Sequence, residues 1–271
     1  MNENKSGVAL AEDWVYYRIY MRSREDLEGF LGKHLQPLIR RLKMVVPDTR
    51  WFFLNYVDAF GTHVRLRVRA PSSELGAVEQ AIDETLSSTT TVRDTQKALY
   101  APETWKFGNG AAMEAAEEVF WRSSEAALIC IGSHKGNLRI VHGATHTHLM
   151  AALLPRPLRI AFLHQYAWYW SGGPLGVESP ASWRQDTAAR TGRMTKAETM
   201  LDRITATVRT TAGQSLAHYA EHVSSLLKPP YPHPLALSHH VHLTNNRLGL
   251  TKGEEAQIAR LLWLAERLAA E

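Results

Sequence analysis

The alternation in His63-Val64-Arg65-Leu66-Arg67-Val68-Arg69 constrains this chain more than any other stretch. Side chains of a β-strand point to opposite faces with period two. His63, Arg65, Arg67 and Arg69 therefore share one face, and Val64, Leu66 and Val68 share the other. The aliphatic face suits a core. The opposite face lines up guanidiniums that repel one another unless something polar or anionic answers them. Such a face is either solvated and dotted with surface ion pairs, or a floor of fixed donors for carbonyls, carboxylates and developing negative charge.

The flanking sequence supplies partners for this strand. Trp14 to Met21 reads as a strand with Trp14, Tyr16, Arg18 and Tyr20 on one face. Arg50 to Val57 is apolar on both faces and reads as a central strand, joined to the basic strand by a turn through Asp58–Gly61. Between them, Ser23 caps a helix with apolar positions from Leu27 to Leu42, and Pro37 predicts a break or kink inside it. A helix is expected from Pro71 to about Leu86, then a polar connection through Ser87–Thr91. Tyr100–Gly110 reads as a loop, because Pro102 and two glycines argue against a helix. Helices follow from Met113 to Ile131, His142 to Leu154 and Pro157 to Trp170, with a turn or loop at Ser171–Gly176. Thr195-x-x-Glu198 has the form of a capping box opening one long helix toward Leu227. Pro229, Pro230, Pro232 and Pro234 predict an extended linker, His239–Leu248 a loop or short strand, and Thr251-x-x-Glu254 a second capping box before a last helix. Strands come early and helices late. The expected class is α+β: N-terminal antiparallel strands with a basic inner face, then a mostly helical second half. We take residues 1–271 as a single domain, with residues 1–13 expected to be flexible.

Composition excludes more than it identifies. At 45% hydrophobic and 21% charged residues the chain has an ordinary globular balance. It contains no apolar run of membrane-spanning length, so no membrane partner is expected, and the first residues show no apolar export signal. The single cysteine, Cys130, sits in an apolar run and reads as a buried small hydrophobe. One thiol precludes an internal disulfide framework and fits a reducing cytoplasm. A net charge of +4 suits an acidic peptide partner and is too weak to argue for nucleic acid.

Three groups of residues carry possible chemistry. His142, His146 and His148 have spacing that places two imidazoles one helical turn apart. The His-Glu-x-x-His signature is absent, so polar helix surface or cavity wall is the preferred reading, and no metal is expected. His239, His240 and His242 precede Asn246 and Arg247, whose amide and guanidinium groups can fix carbonyls and carboxylates or simply cap the last helix. Glu103, Lys106 and Tyr100 bring a carboxyl, an ammonium and a phenol into one loop, which suits proton transfer or a surface ion pair. No Gly-x-Ser-x-Gly, Walker or Gly-x-Gly-x-x-Gly pattern is present, which lowers hydrolase and nucleotide readings.

Read together and in order, these stretches resemble a family. Trp14…Tyr17-Arg18-Ile19-Tyr20, Trp51-Phe-Phe-Leu-Asn55-Tyr56-x-Asp58 and Gly61-x-His63-x-Arg65-Leu-Arg67 are similar to the C-terminal elimination domain of lantibiotic dehydratases. Tyr100-x-x-Glu103…Phe107-Gly, Ala116-Glu117-x-x-Phe120-x-x-x-Ser124 and His242-x-x-x-Asn246-Arg247-Leu248 continue the likeness to the C-terminal helix. In full-length members that domain removes glutamate from glutamyl-Ser/Thr in a peptide, after a large glutamylation domain for which this chain has no room. The resemblance therefore implies a stand-alone relative, either a split elimination enzyme or a thiopeptide pyridine synthase. Asn55 stands where the elimination type carries arginine, Ser123 where it carries an acidic residue, and the Tyr100-Ala-Pro102-Glu103…Lys106-Phe107-Gly108-Asn109 loop looks more like the synthases.

The resemblance implies a cofactor-free, cytoplasmic enzyme acting on a precursor peptide made of a leader and an azole-rich, dehydroalanine-containing core, with other biosynthetic enzymes as further partners. It implies Arg65 and Arg67 as holders of amide oxygens, Arg18 as a third donor and His63 beside them. His242 or Tyr100 would move protons, with Glu103 orienting one of them. Asn55, Lys106, Trp168, Asn246 and Arg247 would contact substrate, and Trp168, Tyr169 and Trp170 would line a cavity for the core. A non-catalytic leader-binding subunit is the reading that needs no proton-transfer residues.

Overall fold

The structure, a computed structural model, describes residues 13–133, 138–171, 187–227 and 233–268. It forms two compact units, residues 1–124 and 125–271, and the boundary falls inside one helix. Residues 1–12, most of the expected 171–176 turn and Pro229, Pro230 and Pro232 lie outside the described residues.

The first unit is an antiparallel sheet in the order β2-β3-β1-β4, from β1 (Trp14–Met21), β2 (Arg50–Asp58), β3 (Gly61–Arg69) and β4 (Val92–Ala98). Its register settles the faces, because directly paired residues point the same way. Arg67 pairs with Tyr16 and Phe52, Arg65 with Arg18 and Leu54, and His63 with Tyr20 and Tyr56. Val64, Leu66 and Val68 pair with Ile19, Tyr17 and Val15 on the other face, where all six are buried. That face is covered by α1 (Asp26–Phe30) and α3 (Leu75–Ser87), with α2 (Gln36–Val45) packed on α3, and these helices bury Phe30, Leu38, Leu42, Val78 and Ile82. The strand at Arg50 is not central as expected but an edge. The backbone N–H of Phe53 donates to Ser124 Oγ at 3.2 Å, which occupies an edge donor that a second chain would otherwise pair.

The break expected near Pro37 takes a particular form. A π-helical turn at Leu31–Leu35 joins α1 to α2, and the wider turn accommodates a residue that lacks a backbone N–H. Ser23 and Asp26 bond reciprocally at the start of α1. The Tyr100–Gly110 stretch is not all loop, because Thr104–Phe107 closes one helical turn, α4, beyond the reach of Pro102.

Helix α5 (Ala111–Ile131) runs from the first unit into the second. The second unit is helical throughout its described residues: α6 (Leu138–Ala152), α7 (Arg156–Trp170), α8 (Thr187–Val208), α9 (Thr211–Leu226), α10 (Pro234–Arg247) and α11 (Lys252–Leu268). Helix α6 contacts α7, α8, α9, α10 and α11 and is accordingly buried nearly all round. Gly143 makes its close approach to the turn before α11 possible, since a Cβ there would lie 2.5 Å from Leu250 Cδ2.

Three expectations are corrected here. Thr195 and Glu198 lie inside α8 rather than at its start, and the chain turns again at Thr210, whose hydroxyl caps α9 by accepting from the Gly213 N–H at 3.2 Å. His239–Arg247 is helix rather than loop or strand, because Pro234 serves as its first residue and His233 caps it. Cys130 is buried as expected, and Thr251–Glu254 forms its capping box. Among the described residues no helix is long and apolar enough to cross a membrane.

Candidate functional site

Two polar clusters stand out, one in each unit. The first is the arginine face of the sheet. The end arginine, Arg69, pairs with Asp13. Among the described residues Arg67 has no such ion pair. Its guanidinium carbon lies 4.4 Å from the centroid of Tyr16, 5.1 Å from Phe52 and 5.3 Å from Tyr100. Its Nε and Nη1 are buried without a hydrogen-bond partner among the described residues. Burial depresses its pKa, and the rings that box it return part of the lost hydration as cation–π attraction. Two unmatched nitrogens in such a box cost free energy, so they call for an incoming oxygen.

Its neighbour Arg65 lies 3.4 Å from the ring centroid of Tyr56 and donates from Nε to His63 Nε2 at 3.3 Å. His63 Nδ1 faces the Gly61 carbonyl at 3.2 Å, so the network assigns the proton to Nδ1 and leaves Nε2 to accept. Burial lowers the His63 pKa, which keeps that neutral form. His63 thus positions Arg65 and has no free nitrogen for shuttling protons. Arg18 donates to Tyr16 Oη at 3.4 Å, on the same face as Arg65.

The proton-transfer candidates of the Tyr100–Gly110 stretch are paired differently from the expectation. Tyr100 donates to Glu117 Oε1 at 2.9 Å, not to Glu103. Burial, together with the neighbouring Glu117, raises the phenol pKa, and burial raises that of the Glu117 carboxyl. Tyr100 therefore keeps its proton. Glu103 is largely exposed and lies 3.5 Å from Lys106 Nζ, so these two answer each other. Asn55 pairs with Val64 and so lies on the face opposite Arg65 and Arg67.

The second cluster surrounds Glu255, whose side chain is 1% exposed. Its carboxylate accepts from Tyr166 Oη, from His242 Nδ1 at 3.0 and 3.3 Å, and from Asn245 Nδ2 at 3.4 Å. Asn245 also donates to Thr147 Oγ1 at 3.1 Å and meets His146 Nδ1 through its Oδ1 at 3.0 Å. Trp170 stacks on the His242 ring with centroids 4.0 Å apart, and Lys252 Nζ lies 5.2 Å from Trp170. His242 is partly exposed, so this is a carboxylate–imidazole pair with its inner nitrogen engaged and its outer one without a protein partner among the described residues.

Of the other residues singled out in this unit, Trp168 and Tyr169 are exposed near the end of α7, and Asn246 is half-buried. Arg247 is 1% exposed, and its charge acts on His146. His142 and His146 are buried and His148 half-buried, and among the described residues no three His, Cys, Asp or Glu side chains converge as a metal site would require. Sequence reasoning gave no role to Glu117, Tyr166, Asn245 or Glu255. The usable signal was an acidic residue set into an apolar stripe: Glu117 shares its side of α5 with Met113 and Phe120, and Glu255 shares its side of α11 with Ile258, Ala259 and Leu262.

The family described as lantibiotic biosynthesis dehydratase C-term matches residues 14–265. The fold is similar to that of the tRNA-dependent lantibiotic dehydratase MibB from Microbispora sp. 107891, with a TM-score of 0.66 and 20% identity. That match covers 100% of this chain and 29% of MibB. It is also similar to the pyridine synthase TbtD from thiomuracin biosynthesis, with a TM-score of 0.65 and 14% identity over 94% of this chain and 97% of TbtD. TsrL aligns with a TM-score of 0.57 and 13% identity over 92% of this chain and 94% of its own. No curated protein sequence matches.

Proposed function

The chain belongs to the lantibiotic dehydratase C-terminal family, and from that premise we propose that it is a thiopeptide pyridine synthase acting on a ribosomally made precursor peptide. The reaction is a formal aza-[4+2] cycloaddition. One dehydroalanine and its preceding amide, as the iminol tautomer, form the azadiene, and a second dehydroalanine is the dienophile. Two carbon–carbon bonds form. Loss of water and of the leader peptide as a carboxamide then makes the ring aromatic and closes the macrocycle.

Holding two alkenes within reach of one another is the largest contribution, because it converts an encounter into an effectively unimolecular step. The guanidiniums of Arg65 and Arg67 are suited to amide oxygens, with Arg18 as a further donor. A box of aromatic rings around a cation with two unmatched nitrogens fits a flat, uncharged, unsaturated amide. That box is the observation that carries this reading. Proton transfer to and from the amide and the leaving group falls to His242, whose Nδ1 is engaged by a buried carboxylate.

Glutamate elimination from glutamyl-Ser/Thr is the second reading. The open N–H groups of Arg67 that suit an amide oxygen would also take a departing carboxylate. One assay separates the two. A synthetic peptide with a leader and two dehydroalanines, and no glutamylated residue, is incubated with the protein and followed by mass spectrometry. A pyridine-centred macrocycle and a separate leader carboxamide are expected. An unchanged peptide, together with glutamate loss from a glutamyl-Ser peptide, would establish elimination instead.

A further inference from the structure

We propose that Glu255 is the positioning residue of His242: it takes the Nδ1–H and thereby fixes the tautomer that presents Nε2 as the working nitrogen. This rests on His242 being the proton-transfer group of the proposed reaction, and it reassigns to Glu255 the orienting role expected of Glu103. Three features of the cluster support it. The carboxylate is buried, so its interaction with the imidazole is not diluted by water. It is itself held by Tyr166 and Asn245, and Asn245 is fixed in turn by His146 and Thr147. The ring plane is set independently by the stack on Trp170, with an interplanar angle of 25°. His242 Nε2 has no protein partner among the described residues, while every contact on its Nδ1 side is made.

The division of donors between the two carboxylate oxygens gives a sharp test. Oε2 receives Tyr166 Oη and Asn245 Nδ2, whereas Oε1 makes the shortest approach to His242, at 3.0 Å. A glutamine at this position keeps its oxygen where two donors converge and turns its NH2 toward His242. A donor facing Nδ1 drives the ring proton to Nε2, so the working nitrogen loses its lone pair. Glu255→Gln should therefore lower kcat on the bis-dehydroalanine peptide by on the order of ten-thousandfold, as the wrong tautomer does in a comparable carboxylate–imidazole pair, with KM little changed. Tyr166→Phe removes one donor and keeps the carboxylate, so its kcat should stay within about tenfold.

The tautomer itself is read on the full-length protein by nitrogen-15 NMR of labelled histidine, at a pH where the ring is neutral. His242 protonated at Nδ1 in the wild type and at Nε2 in Glu255→Gln is the expected result. A wild-type ring protonated at Nε2 overturns the proposal even if the variant does not fold, and so does a folded Glu255→Gln that keeps wild-type kcat. Because the NMR arm uses no substrate, it decides the role of Glu255 even where the peptide is not turned over. Failure of the cycloaddition reading is therefore seen separately.

Discussion

Tyr16 and Arg67 face each other directly across the β1–β3 ladder, and the guanidinium carbon rests 4.4 Å from the ring centroid. The pair shows how one face of a sheet can hold an unanswered cation. Phe52, the residue paired with Arg67 on its other side, and Tyr100 complete the box. Arg67→Lys keeps the charge but loses the planar fork. Loss of one well-placed donor to developing charge costs ~3 kcal/mol, or roughly a hundredfold in rate. Leader-peptide affinity, measured by fluorescence anisotropy, should change little. Tyr16→Phe should retain most activity, whereas Tyr16→Leu removes the ring and should cost about 1 kcal/mol in transition-state stabilisation.

His63 gives a different kind of prediction, because it acts through Arg65. Its Nε2 accepts from Arg65 at 3.3 Å and its Nδ1 is spent on the Gly61 carbonyl. His63→Phe should lower kcat about tenfold, which corresponds to one lost hydrogen bond to a charged group of ~1.5 kcal/mol. The pH–rate profile should keep its shape, since His63 does not exchange a proton in the reaction. A basic limb that disappears in His63→Phe would instead make His63 a proton carrier.

Much of the first unit was legible in the sequence, and the reasons are specific. Alternation at His63–Arg69 and Trp14–Met21 put the right residues on the right faces: β3 buries its aliphatic side, and β1, although buried on both faces, is held in register by its ladder with β3. Strand β4 left no such mark. Val92-Arg-Asp-Thr-Gln-Lys-Ala98 is an edge strand without a single fully buried side chain, so its pairing is set by β1 rather than by its own pattern. Helix α10 was hidden by a proline run whose last member, Pro234, starts a helix instead of prolonging a linker. The functional pairs were harder. Tyr100 with Glu117 and His242 with Glu255 join residues on separate elements, whereas the sequence pointed only to Glu103 as the orienting residue for one of the two.

The corner between α8 and α9 depends on a missing side chain. A Cβ on Gly213 would lie 2.0 Å from the Thr207 carbonyl oxygen and 2.6 Å from Val208 Cα, both backbone atoms with little freedom to retreat. Gly213→Ala should therefore destabilise the protein by about 3 kcal/mol, read as a fall in Tm. Gly253, near the start of α11, has nothing within 4 Å of the same ideal position. Gly253→Ala should raise stability by roughly 0.5 kcal/mol through helix propensity and lower unfolded-state entropy. Opposite signs from the same substitution would tie the first effect to the close backbone approach.

The pH dependence of stability should carry the mark of His146. The side chain is 0% exposed, and burial pushes its pKa down to about 4 from an ordinary 6.5. Above pH 6.5 the ring is neutral in folded and unfolded chains alike, so its full contribution is present. As pH falls below 6.5 the unfolded chain takes up a proton that the native state refuses, and stability declines until the native ring titrates near pH 4. The interval from 6.5 to about 4 corresponds to roughly 3–4 kcal/mol at ~1.4 kcal/mol per pH unit. Burial lowers His63 and His148 in the same direction, so they steepen the same limb. Glu254 works in another window. Arg139, bonding both carboxylate oxygens, holds it down to about 2, so its contribution is kept above its ordinary pKa near 4.5 and is lost only as pH falls toward 2. Urea unfolding at pH values from 8 to 3 should show the first decline between 6.5 and 4, and His146→Gln should flatten that limb whatever its effect at pH 8. Stability that stays level down to pH 4.5 and then drops would place the acid sensitivity in carboxylates such as Glu254 and remove His146 from the account.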